Sequence, residues 1–145
     1  MSRPKLILLV EDSDDDVELA LRAFRRAKVT GDIEVVGDGA EAIDYLHASG
    51  AHAGRDTDIK PDVVLLDLKL PKIGGIEVLR RVRADERTRR IPIVVLTTSS
   101  EKSDLVSCYD LGANGFVRKP VDFGEFVEAA GRIGDYWLAT NQPAP

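Results

Sequence analysis

The stretch Asp62-Val63-Val64-Leu65-Leu66-Asp67, which follows Pro61, decides the fold. Four consecutive branched aliphatic residues between two acids are typical of a strand that is buried on both faces, as in a parallel sheet. Asp67 then lies at the carboxyl end of this strand. Ligands bind at that edge of an open α/β sheet, so the sequence predicts that Asp67 belongs to a functional site.

Three further strand-like segments also end in polar side chains. Residues 6–10 are followed by Glu11 and Asp12, residues 93–96 by Thr97, and residues 115–118 by Lys119. If the four strands are parallel and adjacent, their carboxylates, hydroxyl and ammonium converge at one edge of the sheet. The sequence therefore predicts a site composed of side chains from four separate segments.

Apolar residues recur with a helical period between these strands, which predicts a doubly wound α/β fold with helices on both faces of a five-stranded parallel sheet. Ser13 or Asp14 is the expected N-cap of the first helix. The other predicted elements are a strand over residues 33–36 and helices over residues 39–46, after Gly75, over residues 101–111 and over residues 122–139. Residues 48–61 form a long loop, which is either a partner contact or a tolerated insertion.

Length and composition indicate one globular domain over residues 1–145, with its core over about residues 6–139 and a short tail over residues 140–145. The chain has 145 residues, of which 43% are hydrophobic, and a formal net charge of −5. An acidic chain argues against nucleic-acid binding, which needs basic surface. Cys108 is the only cysteine, the N-terminus has no signal-peptide pattern, and no apolar run is long enough for a membrane helix. We therefore expect a cytoplasmic protein without an output domain.

The acidic run after the first strand indicates the chemistry of the site. Five of the six residues from Glu11 to Asp16 are acids. They would repel a bare phosphate but attract Mg²⁺, which favours oxygen ligands and keeps several waters. Asp12 and Asp67 are predicted as direct metal ligands, with Glu11 holding water. A carboxylate beside a metal and a lysine is also a nucleophile toward phosphorus, so Asp67 is the predicted attacking group.

The Lys119 ammonium and the Thr97 hydroxyl are the predicted partners of the phosphoryl oxygens. The motifs Glu11-Asp12, Asp67 with Gly74-Gly75, Thr97, and Gly112-Ala113-Asn114-Gly115-Phe116 before Lys119-Pro120 occur in this order. This set resembles the receiver domain of bacterial two-component response regulators.

The resemblance implies a flavodoxin-like sheet of order 2-1-3-4-5, phosphorylation of Asp67 by a partner histidine kinase, and a requirement for Mg²⁺, with Mn²⁺ as a substitute. It adds the backbone carbonyl of Lys69 as a metal ligand and makes Thr97 and Phe116 a switch pair. It also implies a cis peptide bond between Lys119 and Pro120. Phe116 lacks the hydroxyl of the tyrosine common at this position.

The loop over residues 48–61 and the tail with Tyr136 and Trp137 resemble the stand-alone subgroup that partners phytochrome-type and other hybrid kinases. Lys69 and Ser99 occupy positions that the family associates with the rate of dephosphorylation. We expect output through protein association that includes a homodimer; the competing interpretation is a monomer that passes the phosphoryl group to a histidine phosphotransfer protein. The predicted contact surface combines Arg118, Tyr136 and Trp137.

Other features have simpler interpretations. The arginine-rich stretch is interpreted as a solvated helix face and loop, since acids are interleaved with it; its members are Arg80, Arg81, Arg83, Arg87, Arg89 and Arg90. Cys108 is expected to be a small packed residue and Trp137 a lid on the core. His47 and His52 are too far apart in the chain to indicate a metal pair.

Two other functions compete with signalling. An Asp-nucleophile phosphohydrolase commonly has a second aspartate two residues after the first, and here that position is Lys69. A flavin-binding protein needs a phosphate-cradling loop after the first strand, where this chain has acids. A phosphorylation-controlled signalling module is therefore the favoured function.

Overall fold

The computed structural model describes residues 4–145, so the expectation for the extreme N-terminus lies outside the described residues. These residues form one five-stranded parallel sheet in the order β2-β1-β3-β4-β5. The strands are β1 (Leu6–Val10), β2 (Asp32–Val36), β3 (Val63–Leu66), β4 (Ile93–Thr97) and β5 (Gly115–Arg118). The predicted fold class and strand order are confirmed.

The strands alternate with α1 (Asp14–Arg26), α2 (Gly39–His47), α3 (Gly75–Ala84), α4 (Lys102–Asp110) and α5 (Phe123–Gly134). Ser13 is the N-cap of α1, because its Oγ accepts a hydrogen bond from the backbone N–H of Asp16 at 3.3 Å. This decides between the two predicted cap residues. Among the helices of residues 4–145, none combines the length and the apolar character that a bilayer-spanning helix requires.

The prediction of one continuous α-helix over residues 122–139 was wrong in its last turn and a half. The α-helix ends at Gly134, and Asp135–Thr140 continue as a π-helix. The helix packs tightly at this point, because a Cβ on Gly134 would lie 2.7 Å from Cγ2 of Val29. The wider turn changes the phase of the side chains that follow, and Leu138 is buried in the core.

The core consists of two clusters, one on each face of the sheet. Alternate residues of a strand enter opposite clusters: Leu8 and Val64 face α2, α3 and α4, whereas Ile7 and Leu65 face α1 and α5. All four residues of β3 are at most 1% exposed, which confirms that this strand is buried on both faces. Each such side chain contributes about 1.5–3 kcal/mol of burial free energy, so the strand ends project from a rigid frame.

The loop over residues 48–61 is folded against α2. It begins with a short 3₁₀ helix, Gly50–His52. The guanidinium of Arg55 lies 4.1 Å from the ring centroid of Tyr45, and its Nε donates to the backbone carbonyl of Tyr45 at 2.7 Å. A second donation, from Nη1 to the carbonyl of Ile59 at 2.7 Å, ties the loop to itself. Arg55 thus orders the loop, and both interpretations of it, as a partner contact and as a tolerated insertion, stay predictions.

The arginine-rich stretch is mainly solvated, as predicted, but Arg83 is an exception. Its Nε donates to the carbonyl of Gly112 at 2.9 Å, and its Nη2 donates to Oδ1 of Asn114 at 2.8 Å. Its Nη1 donates to the carbonyl of Ile91 at 2.8 Å. Burial lowers the pKa of the Arg83 guanidinium. Arg83 therefore joins α3 to the segments that precede β4 and β5.

Three isolated residues have structural roles. Cys108 is fully buried in the cluster under α4, which confirms its predicted packing role. His47 lies 3.4 Å from a carboxylate oxygen of Asp85, whereas His52 lies 3.0 Å from one of Glu41. The two histidines therefore have separate acidic partners.

Candidate functional site

The ladder of the sheet brings the predicted site residues to one edge. Strands β1 and β3 pair up to their last residues, so Glu11 and Asp67 leave neighbouring strands side by side. The backbone N–H of Asp67 donates to the carbonyl of Val10 at 3.2 Å. Between β4 and β5, the backbone N–H of Lys119 donates to the carbonyl of Thr97 at 2.7 Å. The strand ends thus converge as the sequence predicts.

Lys119 is the cation of this edge, and its side chain is only 10% exposed. Its Nζ lies 3.1 Å from Oδ2 of Asp67 and forms a close ion pair with Oε1 of Glu11. Burial alone lowers the pKa of Lys119, but the hydrogen bond to Glu11 and the charge of Asp67 outweigh burial and raise that pKa. The ammonium form is therefore held firmly at the site.

Glu11 is almost completely buried beside this ammonium. Burial raises the pKa of its carboxyl group and outweighs the opposing effect of Lys119. Its Oε2 accepts a hydrogen bond from the backbone N–H of Ser13 at 3.3 Å. A buried carboxylate whose negative charge is only partly balanced by its neighbours attracts a further cation.

Asp67 has its two carboxylate oxygens in different environments. Oδ1 accepts hydrogen bonds from the backbone N–H groups of Leu68 at 2.7 Å and Lys69 at 3.4 Å. Oδ2 faces the Lys119 ammonium at 3.1 Å. These contacts fix the orientation of the carboxylate, which is a requirement for a nucleophile that must meet an incoming reactant.

The carboxylates of Glu11, Asp12 and Asp67 fit a divalent cation. Each offers one oxygen, and the three oxygens lie within 4.8 Å of one another. Asp12 is exposed, so the cluster is open to solvent on one side, which suits a cation that keeps part of its water shell. All-oxygen donors of this kind suit Mg²⁺ and Mn²⁺. The Lys69 carbonyl stays a predicted further ligand.

Thr97 and Phe116 share one face of the sheet. Val95 is the ladder partner of Phe116, and Thr97 lies two residues beyond Val95. Thr97 is fully buried, and its Oγ1 accepts a hydrogen bond from the backbone N–H of Ser99 at 3.2 Å. Phe116 is partly buried against the same core cluster. The placement is compatible with a switch pair, which stays a prediction.

Asp16 belongs to this edge, although its place in the acidic run predicted only a solvated helix N-terminus. Its Oδ2 lies 3.5 Å from Nζ of Lys119. The position of Asp16 in the sequence could have predicted this contact. A residue in the first turn of a helix that begins at the carboxyl edge of a sheet can reach back over that edge.

The predicted contact residues differ in exposure. Arg118 is exposed at the end of β5, and Tyr136 is 49% exposed. Trp137 packs on the cluster under α1 and α5, with its ring centroid 4.8 Å from that of Tyr136. The predicted role of Trp137 as a lid on the core is confirmed, and the interface role of the three residues stays a prediction.

The peptide bond between Lys119 and Pro120 is trans, as are the other peptide bonds of residues 4–145. The expectation of a cis bond at this position was therefore wrong. The trans isomer of an X–Pro bond is intrinsically favoured by about 0.5–1 kcal/mol. The Lys119 side chain reaches Glu11 and Asp67 from the trans backbone.

The chain is similar to curated regulatory proteins over nearly its whole length. The response regulator receiver domain family matches residues 7–131. The probable methanogenesis regulatory protein FilR2 of Methanothrix harundinacea (strain 6Ac) is 43% identical over 143 residues, which cover 98% of this chain and 90% of FilR2. Response regulator Rcp1 of Synechocystis sp. (strain ATCC 27184 / PCC 6803 / Kazusa) is 34% identical over 137 residues, which cover 94% of this chain and 91% of Rcp1.

Solved structures of response regulators share the fold of this chain. The Mn²⁺-bound form of Rcp1 has a TM-score of 0.87 at 32% identity and covers 98% of this chain and 100% of its own. The phosphorylated cyanobacterial phytochrome response regulator RcpA has a TM-score of 0.89 at 36% identity and covers 99% of this chain and 100% of its own. With the acidic edge, the lysine and the strand order in place, the chain belongs to the response regulator receiver domain family.

Proposed function

We propose that this receiver domain accepts a phosphoryl group on Asp67 from a phosphohistidine of a partner histidine kinase and signals by binding other proteins. The observation that carries the proposal is the Asp67 carboxylate, which two backbone N–H groups orient and which lies 3.1 Å from the Lys119 ammonium. Its neighbours Glu11 and Asp12 complete the acidic cluster. The similarity to phosphorylated RcpA supports the same function.

The transfer exchanges one bond for another. A carboxylate oxygen of Asp67 attacks the phosphorus, a P–O bond forms, and the P–N bond to the donor imidazole breaks. Lys119 places its ammonium against the oxygens that carry charge in the transition state. Hydrolysis of the acyl phosphate returns Asp67 to its carboxylate form, and Lys69 and Ser99 set the rate of this self-catalysed step.

The acidic cluster would hold Mg²⁺, or Mn²⁺ in its place. Asp12, Asp67 and the Lys69 carbonyl are the proposed direct ligands, and Glu11 acts largely through water. When bound, the cation supplies positive charge that offsets the negative phosphoryl oxygens. The Mn²⁺-bound form of the similar Rcp1 supports this assignment.

Thr97 and Phe116 are the proposed switch. A phosphoryl group on Asp67 would draw the Thr97 hydroxyl toward it and leave space into which the Phe116 ring rotates. The two states of Phe116 differ by packing alone, because the ring carries no hydroxyl.

The proposed partner is a phytochrome-type or other hybrid kinase in the cytoplasm, since RcpA is a phytochrome response regulator.

The proposed output surface combines Arg118, Tyr136 and Trp137 and includes a homodimer contact; transfer to a histidine phosphotransfer protein is the alternative. A phosphohydrolase is not favoured, because Lys69 occupies the position of its second aspartate.

Intact-protein mass spectrometry tests the acceptor directly. With acetyl phosphate and Mg²⁺, the wild type should gain one phosphoryl group, and Asp67→Asn should gain none because the nucleophile is gone. Asp14→Asn is the matched control, since Asp14 is an exposed acid of the same run. An undiminished adduct on Asp67→Asn would identify another acceptor and contradict the proposal.

A further inference from the structure

The Thr97 hydroxyl is held by a hydrogen bond from the loop that follows β4. Thr97 is fully buried, and its Oγ1 accepts from the backbone N–H of Ser99 at 3.2 Å. Within residues 4–145, no hydrogen bond joins Thr97 to Asp67. The position of the hydroxyl therefore depends on where the loop places the backbone of Ser99.

The position of Ser99 is in turn fixed by α4. Its hydroxyl donates to Oδ2 of Asp104 at 2.6 Å, a short hydrogen bond to a charged acceptor. The same hydroxyl oxygen accepts from the backbone N–H of Glu101 at 3.3 Å. Ser99 is only 7% exposed, so water competes poorly for these contacts. We call this pair of side chains the Ser99–Asp104 latch.

We propose that Asp104 is a positioning residue that holds the Thr97 hydroxyl in its resting place through Ser99. When Thr97 moves toward a phosphoryl group on Asp67, its Oγ1 moves away from the Ser99 N–H. The Ser99–Asp104 latch keeps that N–H from following, so the hydrogen bond between Ser99 and Thr97 must break. The Ser99–Asp104 latch thereby sets how much binding free energy the phosphoryl group must supply to move Thr97. This inference rests on the proposed function, because it assumes that phosphorylation of Asp67 draws Thr97.

A simpler role for Asp104 is that of a negative charge at the N-terminus of α4, where acids stabilise any helix. Glu101 separates the two roles. It is an exposed acid at the same end of α4, and its side chain makes no capping hydrogen bond. Removal of the Glu101 carboxylate changes the charge at the helix end and leaves the Ser99–Asp104 hydrogen bond intact.

Calorimetric titration with beryllofluoride and Mg²⁺, a stable analogue of the phosphoryl group, tests the latch. Asp104→Ala should bind beryllofluoride about tenfold more tightly than the wild type, since the phosphorylated-like state no longer competes with a charge-assisted hydrogen bond. Ser99→Ala should have the same effect, and the double variant should bind no more tightly than either single variant. Glu101→Ala should bind as the wild type does.

Asp104→Asn provides a rescue, because its amide oxygen can still accept from the Ser99 hydroxyl, and it should restore affinity close to that of the wild type. Unchanged or weaker binding by Asp104→Ala would overturn the latch, as would equal tightening by Glu101→Ala. If the wild type itself binds no beryllofluoride while Asp67 is intact, the proposed function fails and the latch fails with it. Thermal unfolding of each variant verifies that the compared proteins are folded.

Discussion

Lys119 illustrates, at the scale of the residue, why the site needs a further cation. Its single positive charge faces Glu11, Asp67 and Asp16, all within 3.5 Å. Asp12 adds another carboxylate to the cluster. One ammonium cannot neutralise these acids, so the edge of the sheet retains negative charge in the folded protein. A divalent cation relieves this repulsion and stabilises the folded state.

Mg²⁺ should therefore raise the temperature of thermal unfolding of the wild type. A ligand that binds only the folded state stabilises it by about 2.7 kcal/mol at a concentration one hundred times its dissociation constant. Asp12→Asn removes one ligand and should require more Mg²⁺ for the same shift. Differential scanning fluorimetry over a Mg²⁺ titration measures this, with the exposed Asp15→Asn as control. Identical titration curves for Asp12→Asn and the wild type would count against the assigned ligands.

At the scale of the element, helical and strand periods predicted most of the fold, and side-chain caps explain where three of the five α-helices begin. Ser13, Asp38 and Asp122 each accept a backbone N–H from the first turn of α1, α2 and α5. The π-helix over Asp135–Thr140 could not be predicted, because no apolar period marks the change; it begins directly after Gly134, which packs closely against Val29. Periodicity reports which face of a helix is apolar, not where a neighbouring element forces the helix to widen.

Arg83 also escaped the sequence patterns, because its partners are mainly carbonyls of distant segments. Arg83→Ala should lower the free energy of unfolding by about 1–3 kcal/mol, since it removes the hydrogen bonds to Gly112 and Asn114 and leaves the part-buried carbonyl of Ile91 without this donor. Urea unfolding followed by circular dichroism measures the loss. Arg80→Ala is the control, because Arg80 is exposed and its ion pair is with Glu77 on the surface of the same helix, so it should change the stability by less than about 0.5 kcal/mol. Equal losses in both variants would contradict a special role of Arg83.

The segment from β4 to α4 should carry the signal of phosphorylation. Thr97→Ala should still accept a phosphoryl group on Asp67, because no hydrogen bond joins Thr97 to that carboxylate in the resting site as described for residues 4–145. It should lose the response of α4 and β5, since no hydroxyl is drawn toward the phosphoryl group. Amide hydrogen exchange with and without acetyl phosphate measures the response. A wild-type response in Thr97→Ala would place the coupling elsewhere.

At the scale of the whole molecule, two core clusters hold the strands so that their ends meet. This is why Asp67, Glu11, Thr97 and Lys119 could be placed at one edge from the sequence: the order and register of parallel strands determine where their ends lie. Two contacts that the sequence did not predict come from the first turns of helices: Asp16 lies 3.5 Å from Nζ of Lys119, and Asp104 accepts a hydrogen bond from the Ser99 hydroxyl. Both contacts depend on loop paths that helical and strand periods do not encode.

We expect the protein to associate through the C-terminal helical segment, Asp135–Thr140. Tyr136 is 49% exposed and contacts Trp137, which is anchored in the core, so the pair forms a rigid aromatic surface. Analytical ultracentrifugation with and without beryllofluoride should reveal a dimer of the wild type that Tyr136→Ala weakens by about tenfold or more. Tyr109→Ala is the control, since Tyr109 is a tyrosine of similar exposure on α4.

A wild type that is monomeric in both states would exclude the dimer and leave phosphotransfer as the output. A loss of dimer in Tyr109→Ala alone would move the contact to α4.

The stacking of Arg55 on Tyr45 has a consequence for proteolysis. Trypsin must draw an arginine side chain into its specificity pocket and extend the backbone around the scissile bond. Here the guanidinium is occupied by an aromatic ring and by the carbonyls of Tyr45 and Ile59. Cleavage after Arg55 therefore requires the insertion to detach from α2 first. The insertion would therefore resist limited digestion, and nicking at Arg55 would report the fraction of molecules in which the insertion is open.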